Sequence, residues 1–528
     1  MQSPFLLRRA EGRIRAPGPA GWPVWSLLGL QLLVALPLAQ RLNLWVDEVY
    51  SLHTTEQGPL EALSRGIHFE RQAPLYFGLL SLWREIDSSV FFARIPSVLF
   101  VSLSGLVLVR IARVLFPDLH PAWFVAAFFL HPAAIWAAVE IRVYALSILL
   151  GALLLWIGLE AFFVAAPRRG ALSAFVAVAV VSLYTYYYLG FVLVGLGVAL
   201  AATGRFQALG RYAMAIVCIA ALCAPIAWWL PAQTATSEGP HRLGFLKALR
   251  FGGNILVEAA LPGNRLAALI GSRIGRWLAR GLLGLLAVAL VTRPGVLARL
   301  AREPDACAVW IVVAAVSLQF ALVAWLIGYA LVEDVRYWTY LSLPATIAVV
   351  SVPAATRRAS LLGVVVALIV GAHVAELAWI YRPLAKPTDA ERVAAFLMRE
   401  EHAGEPILVF PNEWVLPIRY YYAGVNAMVP IPQEPSLEHY DPRDLAIRSE
   451  DQLEGRMREL PHDRGTLWLV KDAEIFRGRE LLERYVDRHF VVDQSWPFYR
   501  KLVVQRLQWK EPSLPGLEGR GAQRTPPH

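Results

Sequence analysis

Apolar residues in this chain fall in windows of roughly 17–25, the length at which a helix crosses a bilayer, not in the short alternating runs of soluble strands. Such windows recur near 23–40, 90–109, 121–138, 143–166, 171–187, 189–203, 212–230, 275–292, 306–330, 337–354 and 359–380, which predicts about eleven spans. Tyr184, Tyr186, Tyr187 and Tyr188 divide the stretch 171–203 and suit an aromatic belt at an outer-interface turn. The long loop 41–89 keeps helical apolar spacing over Leu60–Ile67 and Leu75–Ile86, as expected of two helices lying on the membrane surface. After Pro383 the pattern turns polar. Thr388 with Glu391 has capping-box spacing and predicts a helix over 389–401. Pro406–Phe410, Thr466–Val470, His489–Val492 and Lys501–Leu507 predict strands. The fold class is therefore a multi-pass α-helical membrane protein with a small C-terminal α/β domain. The expected segments are a disordered N-terminus (1–22), a transmembrane domain (23–382), the α/β domain (383–510) and a disordered tail (511–528).

Composition agrees with this pattern. The 528 residues are 57% hydrophobic and only 17% charged, with a mean hydropathy of +0.47, whereas soluble chains carry about a quarter charged residues. The net charge of +9 comes from arginines between spans, so it reads as a topology signal and not as a nucleic-acid surface. Arg8, Arg9, Arg13 and Arg15 precede the first span. Arg110 with Arg113, Arg168 with Arg169, Arg205 with Arg211, Arg293 with Arg299 and Arg302, and Arg357 with Arg358 then occupy every second connection. The positive-inside rule makes that side cytoplasmic. Loop 41–89, the later loop 231–274 and the C-terminal domain then lie outside. The first span lacks an A-x-A-like cleavage site and reads as a retained anchor in the inner (plasma) membrane. Cys218, Cys223 and Cys307 lie in apolar stretches and read as core thiols. No Walker motif or phosphate-cradling glycine loop is present, which counts against a nucleotide-driven pump.

Charged residues at the outer connections carry the candidate chemistry. Asp47 and Glu48 follow the first span beside Trp45. Arg94 opens the second. Glu140, Arg142 and Tyr144 share the short turn 139–144, and Arg336 and Tyr337 follow Glu333 and Asp334. Each has a plain alternative: Asp47 and Glu48 as solvated flank residues, Arg94 snorkelling to headgroups, Glu140 and Arg142 neutralising each other. Acids and bases together in three connections on one face point instead to chemistry there. Glycosyl transfer from a lipid phosphate fits. A carboxylate serves as base for an acceptor hydroxyl, arginines stabilise the departing phosphate, and a single displacement inverts the sugar carbon. Glu48 with His68 or His53 offers a possible divalent metal site, for Mg or Mn.

Three runs carry a family likeness: Leu-Trp-Val-Asp-Glu-Val-Tyr-Ser-Leu, Ala-Pro-Leu-Tyr-Phe-Gly-Leu-Leu and Ala-Arg-Ile-Pro-Ser-Val-Leu-Phe. With Glu-Ile-Arg-Val-Tyr-Ala-Leu and the later Arg-Tyr-Trp-Thr-Tyr-Leu-Ser-Leu-Pro, the chain resembles the GT-C membrane glycosyltransferases. Within them it is most like the bacterial family 39 type, related to protein O-mannosyltransferases and lipid A aminoarabinose transferases. The resemblance implies a GT-C fold, a polyprenyl-phosphate sugar donor, and an envelope glycan, lipid or protein acceptor. It implies Asp47 as catalytic base, Glu48 and Glu140 as further site acids, Arg94 near the donor phosphate, and Arg142, Tyr144, Arg336, Tyr337 and Tyr76 as phosphate or sugar contacts. Many relatives carry His-Pro-Pro-Leu-Tyr where this chain has Gln72-Ala73-Pro74-Leu75-Tyr76, which speaks against a family-like metal site. The alternatives are a lipid-linked sugar transporter or flippase, expected to line a midplane path with charge, and a non-catalytic envelope scaffold.

Overall fold

The computed structural model describes residues 21–164, 166–234, 241–261, 281, 304–329, 332, 334–386, 389–438, 441–458, 460, 465–472, 478–498 and 502–510. The expected span 275–292 apart from residue 281, the termini 1–20 and 511–528, and Thr388 of the capping box lie outside these residues. Two units share the chain: one takes residues up to Leu42 and Asp47–Ala385, the other Asn43–Val46, Lys386–Ser436 and the residues from Asp441 onward.

The first unit is helical. α1 (Trp22–Arg41) leads into the first-loop helices α2 (Val46–Thr54), α3 (Pro59–His68) and α4 (Leu75–Arg84), which cover both stretches with helical apolar spacing. α5 (Val90–Leu115) follows, capped by the Ser89 hydroxyl accepting from Phe92 N–H. The expected span 121–138 is instead two short helices, α6 (Ala122–Phe128) and α7 (Pro132–Ala138). Pro132 has no N–H and disfavours helix at the residue before it, so the break falls at His131. α8 (Tyr144–Gly158) runs on through a π-turn, Leu159–Phe163, and α9 (Ala171–Thr185) and α10 (Gly190–Ala202) follow. α11 (Phe206–Leu222) and α12 (Ile226–Thr234) meet at a 75° bend. After α13 (Phe245–Ala260) come α14 (Pro304–Leu326), a 3-10 segment Val335–Leu341, α15 (Ser342–Ala355) and α16 (Ala359–Ile380). Among the described residues six helices are long and apolar enough to span a bilayer, or seven if the bent pair counts as one span. This is a multi-pass membrane protein.

Helix direction separates two ends of this unit. Arg94 and Arg110 lie sixteen residues apart on α5, about 24 Å at 1.5 Å per residue. α8 likewise runs from Tyr144 toward Arg168, and α15 from the Arg336 segment toward Arg357. Arg110, Arg168 and Arg357 thus sit toward the far ends of the helices that begin at the candidate site.

Two expectations change here. Tyr186 does not belong to the expected belt: it is buried, edge-on to Tyr144 and Tyr340, because its ring turns toward the head of α8, while Tyr184, Tyr187 and Tyr188 are half-buried. The cysteines are not core thiols, since Cys218 is exposed and Cys223 and Cys307 are half-buried on the flanks of their helices.

α13 falls inside the expected outer loop 231–274. Gly252, Gly253 and Asn254 lower its hydropathy, yet Gly252 lets it lie close against α14. A Cβ on Gly252 would sit 2.9 Å from the Ser317 carbonyl oxygen and 3.0 Å from the Ala321 side chain. Gly252→Val is therefore expected to destabilise the unit by about 1–3 kcal/mol through overpacking. A lowered thermal midpoint in detergent checks this, with Gly253→Val, where the added carbon meets nothing, as the control.

The second unit is an α/β layer. Its sheet runs β2-β1-β3-β5-β4, built from β1 (Ile407–Phe410), β2 (Met428–Pro430), β3 (Thr466–Asp472), β4 (Phe490–Pro497) and β5 (Leu502–Trp509). β1 pairs parallel with β2 and β3, and β5 pairs antiparallel with β3 and β4. α17 (Ala390–Glu400) matches the expected helix, with Asp389 before it. Glu405 is buried and accepts from Trp468 Nε1 at 2.8 Å and Arg506 Nη2 at 3.2 Å. Burial pushes its carboxyl up, but the His402 amide, Trp468 and Arg506 together hold it below the ordinary value of 4.5. A depressed folded value stabilises the unit above about 4.5, and that contribution is lost as pH falls through the lower folded value. Glu405→Gln is expected to flatten the acid limb of the melting curve between pH 5 and 3, measured as midpoint against pH, with little change in its slope above pH 6 (~two units above the carboxylate range).

Candidate active site

Asp47 and Glu48 stand in the first turn of α2. Neighbouring positions on a helix point about 100° apart, and the two carboxylates meet different partners. Glu48 is fully buried. Its oxygens accept from Arg94 Nε at 2.9 Å and Arg94 Nη2 at 2.8 Å, and Oε1 also accepts from the Ile141 amide at 3.1 Å. Arg94 Nη1 donates to the carbonyls of Ala39 and Leu42 at 2.8 and 2.7 Å. A bidentate pair with further hydrogen bonds on both ends is the arrangement that makes burial of two charges tolerable. Arg94, expected near a donor phosphate, is here committed to Glu48, the end of α1 and no solvent.

Asp47 faces the other way. Its Oδ2 accepts from Arg336 Nη1, and Arg336 Nε donates to Asp334 Oδ2 at 2.8 Å. The Arg336 amide donates to the other Asp334 oxygen at 3.0 Å, which fixes the start of the 3-10 segment. Asp47 and Arg336 keep 24% of their side-chain surface and Asp334 keeps 26%, so this triad forms the open edge of the cluster. Behind it, Arg142 Nη1 donates to Glu70 Oε2 at 2.7 Å, to Ser51 Oγ at 3.0 Å and to the Asp47 carbonyl at 3.3 Å. The buried Nε of Arg142 has no acceptor among the described residues. Burial raises the carboxyl of Glu70, an effect that Arg142 opposes and the charge of Asp47 adds to.

Glu140 is buried one residue from the Ile141 amide, and its carbonyl accepts from Ser97 Oγ on α5 at 2.6 Å. Tyr76, also buried, lies within electrostatic reach of Arg142, Glu48, Glu70 and Glu140. Tyr144 sits within the same reach of Arg336, Arg142 and Asp47. An aromatic wall continues from it: Tyr144 edge-on to Tyr186 at 6.5 Å, Tyr186 to Tyr188 at 5.4 Å, and Tyr188 to Tyr337 at 5.4 Å. The cluster therefore brings together residues 47–48, 70, 94, 140–144 and 334–337, drawn from all three charged connections singled out in the sequence and from the start of α5.

The suggested metal ligands do not assemble. Both oxygens of Glu48 are on Arg94, His68 is exposed at the end of α3, and His53 Nε2 meets Arg65 Nη1 at 2.9 Å. Burial and the Arg65 charge also lower the basicity of His53. Among the described residues no three His, Cys, Asp or Glu side chains form a group that fits an ion. Glu48 with His68 or His53 does not fit a divalent metal.

No family model matches this sequence, and no curated protein matches it. Solved structures do. The chain is similar to ArnT from Cupriavidus metallidurans in the apo state, at 16% identity and a TM-score of 0.41 over 91% of this chain and 98% of that one. It is similar to the same protein bound to undecaprenyl phosphate, at 16% identity and 0.40 over 93% and 98%. It is also similar to the arabinofuranosyltransferase AftD from Mycobacteria, at 14% identity and 0.40. The chain covers 93% of itself in the last comparison but only 42% of AftD.

Two residues of the cluster were not singled out from sequence. Glu70 sits in Phe-Glu-Arg-Gln, where an acid beside an arginine looks like any solvated loop pair. Ser51 is one turn after Asp47 on α2, and that spacing was the available signal, since it puts a hydroxyl on the same helix face.

Proposed function

We propose that the protein is an inverting glycosyltransferase that moves a sugar from a polyprenyl-phosphate donor to a cell-envelope acceptor at the extracytoplasmic face of the inner membrane. The observation that carries this reading is the open edge itself: a half-exposed carboxylate, Asp47, held between Arg336 and the Arg142 side chain. Of the acids in the cluster, Glu48, Glu70 and Glu140 are closed off from solvent, and Asp334 at the open edge has one oxygen on the Arg336 amide and the other on Arg336 Nε, so Asp47 is the carboxylate we assign to the hydroxyl.

Asp47 is the base. The acceptor O–H gives its proton to the Asp47 carboxylate while its oxygen bonds to the sugar C1. The bond from C1 to the phosphate oxygen breaks, and the electron pair leaves with the polyprenyl phosphate. Attack and departure on opposite sides of C1 invert it. Arg336 and the free Nε of Arg142 supply donors for the charge that grows on the phosphate. In the resting protein Arg336 is shared by Asp47 and Asp334. A donor phosphate competes for that guanidinium and so frees Asp47 for the hydroxyl. Tyr144 and Tyr337 line the sugar side, with Tyr76 behind them. Arg94 and Glu48 act by position: they clamp α5 to α2 and present the Ile141 turn, so that Arg142 points at the Asp47 backbone. The orientation rests on the arginine-rich helix ends lying away from the site, which the positive-inside rule assigns to the cytoplasm.

Mass spectrometry of envelope lipids, glycans and proteins from cells with and without the gene tests the reading. A sugar of defined mass missing from one acceptor class is the expected result. A missing sugar together with its lipid-linked donor trapped on the cytoplasmic face favours transport instead, and unchanged envelope composition overturns the reading.

A further inference from the structure

We infer that the first two turns of α13 form a docking surface for anionic phospholipid headgroups at the rim of the bilayer. Backbone bonds fix the level of this helix: Leu243 N–H donates to the Ala324 carbonyl at 2.9 Å and Tyr329 N–H to the His241 carbonyl at 2.8 Å. The start of α13 is thereby tied to the end of α14, a 23-residue apolar helix. Trp325, Leu326 and Ile327 are exposed at that end, and Phe245 packs edge-on to Trp325 at 5.2 Å. Exposed tryptophan beside exposed aliphatics at the end of a span marks the membrane interface.

At about 100° per residue, α13 presents three faces. Ala248, Phe251, Gly252, Ile255 and Ala259 form the buried face against the protein. Phe245, Leu246 and Leu249 are exposed on a second. Lys247 and Arg250 are exposed on a third, and Arg242 is exposed just before the helix. The stretch 241–257 contains no acid, and none of the three cations has a carboxylate partner among the described residues. An apolar stripe beside a basic one, at interface level, suits acyl chains below and phosphates above. Three cations spread over two turns match several headgroups of a bilayer and not a single bound phosphate. Charge complementarity thus selects phosphatidylglycerol-type lipid over zwitterionic lipid. This surface is separate from the Asp47 cluster and stands or falls without the proposed reaction.

The test uses the full-length protein in nanodiscs of phosphatidylcholine doped with phosphatidylglycerol, with co-purifying lipid counted by native mass spectrometry. Wild type is expected to enrich phosphatidylglycerol, less so as salt rises. Arg242→Gln, Lys247→Gln and Arg250→Gln together are expected to cut that preference on the order of a hundredfold, at roughly fivefold per cation. Phe245→Ser with Leu249→Ser is expected to weaken retention of both lipids alike. Equal enrichment by wild type and the triple variant, or no preference in wild type at low salt, overturns the inference. A thermal midpoint of the triple variant matching wild type in neutral detergent shows that any loss comes from lipid recognition and not from misfolding.

Discussion

Cells carrying Asp47→Asn in place of the wild-type protein are expected to lose the envelope sugar as fully as cells without the gene. The substitution keeps the shape and the hydrogen bond to Arg336 but removes the base, and a positioned base contributes roughly 10²–10⁴ in rate. Asp47 stands at the open edge, at 24% side-chain exposure, whereas Glu48, Glu70 and Glu140 are closed off from solvent. Asp47→Glu, which retains a carboxylate on a longer arm, is expected to keep part of the activity. Quantifying the modified acceptor by mass spectrometry at matched protein levels is the check. Full modification by Asp47→Asn removes this residue as base.

Arg94→Met is expected to produce the largest loss of stability of any single change described. It strips both guanidinium donors from Glu48, which has no exposed surface, and removes the charge that offsets a buried carboxylate, at a cost of about 3–5 kcal/mol. It also orphans the Ala39 and Leu42 carbonyls. Glu48→Leu combined with Arg94→Met removes both charges at once and is expected to recover most of the loss, because an apolar pair of similar volume is often neutral relative to a buried ion pair. Thermal unfolding in detergent for the two single variants and the double variant checks this. If Arg94 instead contacted substrate, the single variant would keep its stability and lose only activity.

These two residues show what could be read from sequence and what could not. Asp47, Arg142 and Arg336 were legible because a charged residue next to an apolar span is costly unless it has work to do, and all three meet in the structure. Arg94 obeyed the same rule but has a different partner. Its forked pairing with a residue 46 positions away depends on how α2 folds back on α5, and no local pattern carries that. Glu70 was missed for the converse reason: its partner Arg142 is 72 residues distant, and its own neighbourhood is polar. The spans show the same division. Long uniform apolar windows such as Trp22–Arg41 and Ala359–Ile380 fell close to their expected bounds. The window at 121–138 hid a break at His131-Pro132, and α13 was hidden because Gly252, which serves close packing, lowers hydropathy together with Gly253 and Asn254. In the C-terminal unit the strands over 407–410, 466–472, 490–497 and 502–509 overlap the expected 406–410, 466–470, 489–492 and 501–507, with the third running five residues further. The short β2 (Met428–Pro430) was not anticipated, since three residues are too few for a period.

Binding of undecaprenyl phosphate to the purified protein in detergent tests the shared guanidinium most directly. If Arg336 leaves Asp47 for a lipid phosphate, Arg336→Gln weakens binding by tenfold or more, taking roughly 1.4 kcal/mol or above for a lost charge-assisted contact. Asp47→Asn, by removing the competing carboxylate, keeps or tightens it. Loss of binding in Asp47→Asn, or unchanged binding in Arg336→Gln, contradicts the account.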